Sequence, residues 1–103
     1  MRVGVPTTKL KDWLEGDEIM ASDEGSAVGM AVGYYLATGK TGTVFMGADG
    51  FCNATNALTS LVIPYEIPIH WVISVGRQEA WHIKASQFVQ RYAKGRKNFT
   101  LIR

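Results

Sequence analysis

The chain of 103 residues has room for one domain with one modest core. Its net charge of +2 and hydrophobic fraction of 47% are ordinary for a globular protein and argue against nucleic acid or a membrane as the main partner. A single cysteine, Cys52, excludes an intramolecular disulfide and a cysteine-based structural metal site, and the polar N-terminus has no signal-peptide hydrophobic region, so a cytoplasmic protein is expected.

Arg2-Val3-Gly4-Val5-Pro6 reads as the end of a first strand, closed by a proline that continues neither a helix nor a central strand. Thr7 or Thr8 then caps a short helix whose Leu10, Trp13 and Leu14 share a face, with Gly16 as its stop. Glu18 to Ser22 is a second strand. It delivers the chain to Glu24, where a long helix begins that ends at Gly39.

That helix raises two questions. Gly25, Gly29 and Gly33 are spaced by four and fall on one face, leaving it without side chains. Each interior glycine costs about 1 kcal/mol of helix propensity relative to alanine, so the face is either packed closely on its own sheet or approached by another backbone or a flat ligand. Glu24 is either an acidic first-turn residue that complements the helix dipole or a carboxylate at the carboxyl end of a strand, where open α/β sheets bind ligands.

Thr43 to Met46 follows as a third strand, and Gly47-Ala48-Asp49-Gly50 as a glycine-containing turn before a helix over Phe51 to Val62, with Ala54, Ala57, Leu58 and Leu61 facing inward. Neither a dinucleotide fingerprint nor a P-loop lysine is present there. Pro64 and Pro68 bracket a loop before a fourth strand, Ile69 to Ser74, and His70 within it reads as a core or interface histidine. Glu79 to Lys94 forms an amphipathic helix with Trp81, Ala85, Phe88 and Tyr92 along one stripe; Gly95 stops it, and Phe99 to Ile102 closes the sheet. Basic residues near the C-terminus, Arg91 to Arg103, read as a solvated face. Continuous apolar strands separated by helices predict an α/β fold, three layers (αβα) around a mainly parallel sheet covered on both faces.

The run from Asp23 through Lys40 resembles the glutamate segment of thiamine-diphosphate-dependent decarboxylases, and is most similar to the phosphonopyruvate and sulfopyruvate decarboxylases. Gly4-Val5-Pro6 and Tyr65-Glu66-Ile67-Pro68 also resemble that family, and the likeness extends over most of Val3 to His82. It implies a shortened pyrimidine-binding (Pyr) domain spanning residues 1–103, in which Glu24 hydrogen-bonds the cofactor aminopyrimidine and promotes loss of its C2 proton by general acid-base work. Gly50 and Asn53 match the family's Gln-Asn-Ser-Gly-x-Gly-Asn pattern and are implied cofactor contacts; Gly47, Ala48, Asp49 and Cys52 depart from it. His82 aligns with a histidine implied to contact substrate.

The family's Gly-Asp-Gly motif, which anchors the diphosphate and its Mg2+, has no true counterpart here, so the resemblance implies a separate diphosphate-binding subunit that holds the metal, in a homo- or hetero-oligomer. No metal ligands are assigned to this chain. The expected activity is decarboxylation of a small anionic 2-oxo acid. The alternative is a non-catalytic structural or regulatory subunit of the same fold, which the altered Gly47 to Cys52 segment favours.

Overall fold

Five parallel strands form the frame of the computed structural model, which describes residues 1–76 and 82–103. They are β1 (Arg2–Gly4), β2 (Ile19–Met20), β3 (Gly42–Gly47), β4 (Ile69–Ser74) and β5 (Phe99–Ile102), in the spatial order β2-β1-β3-β4-β5. In register, Val3 lies opposite both Ile19 and Val44, Val44 opposite Trp71, and Trp71 opposite Phe99. Side chains alternate between the two faces along each strand. Val44, Met46, Trp71 and Ile73 therefore enter one core cluster, whereas Phe45 and Val72 enter a second on the opposite face.

The larger cluster is covered by helices α1 (Glu24–Thr38), α2 (Ala48–Asn53), α3 (Thr55–Ala57) and α4 (Ile83–Ala93), together with a π-helical turn at Leu58–Val62. The opposite face carries a much thinner layer. There Leu10, Trp13 and Leu14 pack over Phe45 and Val72, sharing a face as expected. The helix expected after Pro6 is one 3-10 turn, Thr8–Leu10. Thr7 stands at its N-cap position without a side-chain capping bond, because its hydroxyl turns to Ser74 instead.

This thin layer is tied to the sheet by Arg2. Its guanidinium lies 3.9 Å from the Trp13 ring centroid, donates to the Trp13 carbonyl and pairs with Glu15 and Glu18. Hydrogen bonds from the Glu15 and Gly16 N–H groups, with the nearby Arg2 charge, hold the Glu18 carboxyl below the ordinary carboxylate range. With Glu18 spent on this knot, β2 shrinks from the expected five residues to Ile19 and Met20, an edge strand whose residues remain partly exposed.

Helix α1 buries Ala27, Val28, Ala31 and Val32. It sits close to β3 because Gly42 has no side chain: a Cβ there would lie 3.4 Å from that of Ala31. Gly29 and Gly33 are exposed, with nothing within 4 Å of where their Cβ atoms would be, so the smooth face does not pack on its own sheet. Gly39 ends the helix in a left-handed conformation at φ 73°, returning its N–H to the Tyr35 carbonyl.

Two expectations about later helices are corrected. The helix after β3 starts at Ala48 rather than Phe51: Gly47 is extended and caps the helix directly, so Gly47 to Gly50 is a strand end running into a first helical turn and not a separate turn. It is also not continuous to Val62, since Ala54 at φ −85° and ψ 5° breaks it before α3. Helix α4 is described from Ile83, and the expected start at Glu79 and the Trp81 position lie outside the described residues. Its buried residues are Ser86, Val89 and Ala93; of the expected stripe, Ala85 and Tyr92 pack against the core, and Phe88 is half-exposed with its ring 6.5 Å from that of Phe51. Among the described residues no helix is long and apolar enough to cross a membrane.

Candidate active site

The chain steps outward from β1 to β2 and then crosses back past β1 to reach β3, so β1 and β3 flank the point where the winding direction reverses. In open parallel sheets, ligands bind at the carboxyl ends of the strands near such a point. The polar side chains that cluster here come from the segments following β1, β2, β3 and β4.

Asp23, and not Glu24, caps α1: its Oδ1 accepts from the Ser26 N–H at 2.8 Å. The Glu24 side chain is thereby free to leave its own helix. It lies against α2, where the Asn53 Nδ2 donates to Glu24 Oε1 at 2.8 Å. Gly50 lies directly beneath: a methyl group there would come within 2.6 Å of Glu24 Cγ and 2.9 Å of Oε2. Three of the residues singled out from the sequence, Glu24, Gly50 and Asn53, thus meet at one point, although they come from two different helices.

His82 does not join them in any described contact. Its Nε2 approaches Asp49 Oδ2 at 3.8 Å, a loose pairing that carries charge only when the imidazole is protonated. Asp49 also pushes the Cys52 thiol upward, behind the larger effect of the thiol's partial burial, so Cys52 stays a thiol at neutral pH.

Sequence reasoning overlooked a hydroxyl pair. Thr7 Oγ1 and Ser74 Oγ lie 2.9 Å apart although they follow strands separated by β3. Gly47 makes this possible, since a Cβ there would meet Thr7 Cγ2 at 3.0 Å and Asp49 Oδ1 at 2.9 Å. The available signal was a hydroxyl residue at the carboxyl ends of two apolar strands with a glycine ending the one between.

The donor set divides cleanly in what it fits. Glu24 Oε2 accepts no hydrogen bond among the described residues and the residue is partly exposed, which suits a nitrogen heterocycle that needs a proton-exchanging partner. Among the described residues the set is wrong for a diphosphate: Glu24 and Asp49 are carboxylates, and His82 is the one described side chain in the cluster that can become cationic. Among the described residues no group of three or more His, Cys, Asp or Glu side chains is placed to hold a metal ion.

A parallel α/β sheet with a carboxylate at the head of the helix that follows an edge strand is an open α/β fold with its candidate ligand site at the strand carboxyl ends. The chain belongs to the thiamine pyrophosphate enzyme N-terminal TPP binding domain family, whose profile matches residues 3–95. Among solved structures it is similar to a candidate thiamin diphosphate-dependent enzyme isolated from Mycobacterium smegmatis, at 28% identity over 78% of this chain with a TM-score of 0.62. The matched region is 16% of that relative's length. No curated protein matches the chain.

Proposed function

We propose that this chain is the pyrimidine-binding part of a thiamine-diphosphate-dependent 2-oxo acid decarboxylase of the phosphonopyruvate or sulfopyruvate type, acting with a separate subunit that holds the diphosphate and Mg2+. The observation that carries the reading is Glu24, relieved of capping by Asp23 and directed over Gly50 towards Asn53. Thiamine diphosphate supplies, when bound, a nucleophilic carbon and an electron sink for a 2-oxo acid. Glu24 holds and returns a proton at the ring nitrogen, with Asn53 keeping its other oxygen fixed. The carboxylate-rich donor set supports placing the diphosphate on another subunit, since Glu24 and Asp49 repel a polyanion. His82 is the substrate contact of this reading, offering an imidazole that is cationic when protonated to an anionic group.

Calorimetry on the purified chain tests the division of labour. Thiamine diphosphate with Mg2+ is expected to bind the isolated chain weakly; tight, Mg2+-dependent binding without a partner subunit would overturn it.

The partner surface in this reading is the outer face of α1. No charged residue occurs from Gly25 to Gly39, and Gly29, Met30 and Gly33 are exposed there. A helix apolar on its outer as well as its inner face is ordinarily covered. Gly29→Leu places a side chain in open space in the single chain, so folding is expected to persist while assembly weakens by overpacking of the contact. An unchanged oligomer in solution scattering would remove this face from the interface.

A second reading, a non-catalytic subunit of the same fold, is favoured by one observation: Asp49 adds a second carboxylate beside the site and engages His82, which works against an anionic substrate.

A further inference from the structure

We infer that Gly50 and Asn53 serve the cofactor only through Glu24, as a two-point seat that fixes which carboxyl oxygen exchanges the proton. The inference rests on the reading of Glu24 as the proton-handling group and deepens it.

The seat is built on one helix face. Gly50 and Asn53 are three residues apart in α2, so both project towards the same side, the side on which Glu24 lies. Gly50 supplies the floor. The closest approach to its missing methyl is at Glu24 Cγ, 2.6 Å away, with Cδ at 3.0 Å and Oε2 at 2.9 Å. Because the conflict begins near the root of the side chain, swinging the terminal oxygens cannot relieve it. Any larger residue at position 50 therefore forces the Glu24 side chain to shift from Cγ outward.

Asn53 supplies the direction. Its Nδ2 is a donor and cannot accept, so Glu24 Oε1, 2.8 Å away, must be the acceptor in every protonation state that keeps this bond. In a neutral carboxyl the carbonyl oxygen is the stronger acceptor, so this bond favours a proton on Oε2. That oxygen has no other hydrogen-bond partner among the described residues and is the one left to face a ligand. A primary amide does not titrate in the physiological range, so the same oxygen is selected at any working pH. Asp23 completes the arrangement by meeting the capping need that would otherwise draw an acidic side chain back onto α1.

Gly50→Ala and Asn53→Asp separate the two points of the seat, the second keeping size while replacing the donor with an acceptor. The first readout is the side-chain NMR signature of Glu24 in the chain without cofactor: the carboxyl 13C shift and the three-bond couplings that report its rotamer. The native chain is expected to give one rotamer, and both variants an averaged one with a displaced carboxyl signal. Thermal melting of Gly50→Ala is followed beside it to confirm a folded chain, the better helix propensity of alanine opposing the cost of displacing Glu24.

The second readout is proton-deuterium exchange at cofactor C2 in the assembled complex, where misplacement by about 1 Å is expected to cost about 100-fold. An averaged Glu24 rotamer in the native chain overturns the seat, as do unchanged signatures in both variants. Full exchange in Gly50→Ala alongside slowed exchange in Glu24→Gln also overturns it. Full exchange in Glu24→Gln itself overturns the proton-handling role instead, and the seat is then decided by the NMR result alone.

Discussion

Glu24→Gln is expected to slow exchange of the cofactor C2 proton by about 100-fold or more in the complex with the diphosphate-binding partner, while leaving the chain folded. The magnitude is the usual scale of general acid-base catalysis by a positioned side chain. Glutamine keeps the length of the side chain and an oxygen that can accept from Asn53, but it cannot exchange a proton. Stability hardly depends on the carboxylate, because Asp23 holds the capping bond to Ser26 and the remaining first-turn charge effect is worth about 0.3–1 kcal/mol. Exchange measured beside thermal melting separates the two roles. Normal exchange in a folded Glu24→Gln complex would remove Glu24 from the chemistry, and absent exchange with Glu24 intact would favour the non-catalytic subunit.

Phe51→Ala is expected to destabilise the chain by about 3–5 kcal/mol, the range for an aromatic deleted from a core that cannot close over the gap. Phe51 is 1% exposed and sits at the hub of a ring cluster. Its ring meets Trp71 edge-on at 5.2 Å and lies 5.6 Å and 5.7 Å from Tyr92 and Phe99. Those rings come from β4, α4 and β5, so no single neighbour can move into the void without breaking its own contacts. Folded domains of ordinary size hold only about 5–15 kcal/mol in total, so the loss is a large part of what is available. Urea unfolding is the measurement, with Phe51→Leu as a milder comparison that refills most of the volume. A loss below about 1 kcal/mol for Phe51→Ala would mean that the cluster relaxes around the hole. Phe51 lies between Gly50 and Asn53 in the chain, so the largest buried side chain of α2 anchors the helix that presents the Glu24 seat.

The pattern of short-range signals carried a good deal of this molecule. Largely apolar runs at Thr43 to Met46 and Ile69 to Ser74 are read as buried strands because they are short, rich in β-branched and aromatic residues and bounded by glycine or proline, and both form central strands. Gly39 is a helix stop for the reason found in the structure, a left-handed backbone at the end of α1. Glu24 stood out because a carboxylate joins a strand end to a helix start, and the family likeness supplied its role.

The errors cluster where local pattern and tertiary competition disagree. Thr7 has the composition of a cap, yet Ser74, 67 positions away in the chain, takes its hydroxyl. Glu18 has the composition of a strand residue and is drawn into the Arg2 knot. Ala85 and Tyr92 of the apolar stripe of α4 do pack on the core, but Phe88 lies at its margin, and Ser86, Val89 and Ala93 are the residues fully covered. The glycine row is visible in the sequence, and only the structure places Gly29 and Gly33 away from the core, because Ala27, Val28, Ala31 and Val32 supply the face that packs on the sheet.

By itself the sequence determined the class of fold, the parallel character of its sheet and the residue most worth testing, because periodicity, helix stops and motif spacing act over a few residues of chain. Which side chains meet was decided by the tertiary structure. Asn53 reaches Glu24 across 29 positions, and Gly50 underlies it, only because α1 and α2 converge at the carboxyl end of the sheet. Contacts of that kind depend on how crossovers of different length bring separate helices together, and no local pattern of residues encodes that distance.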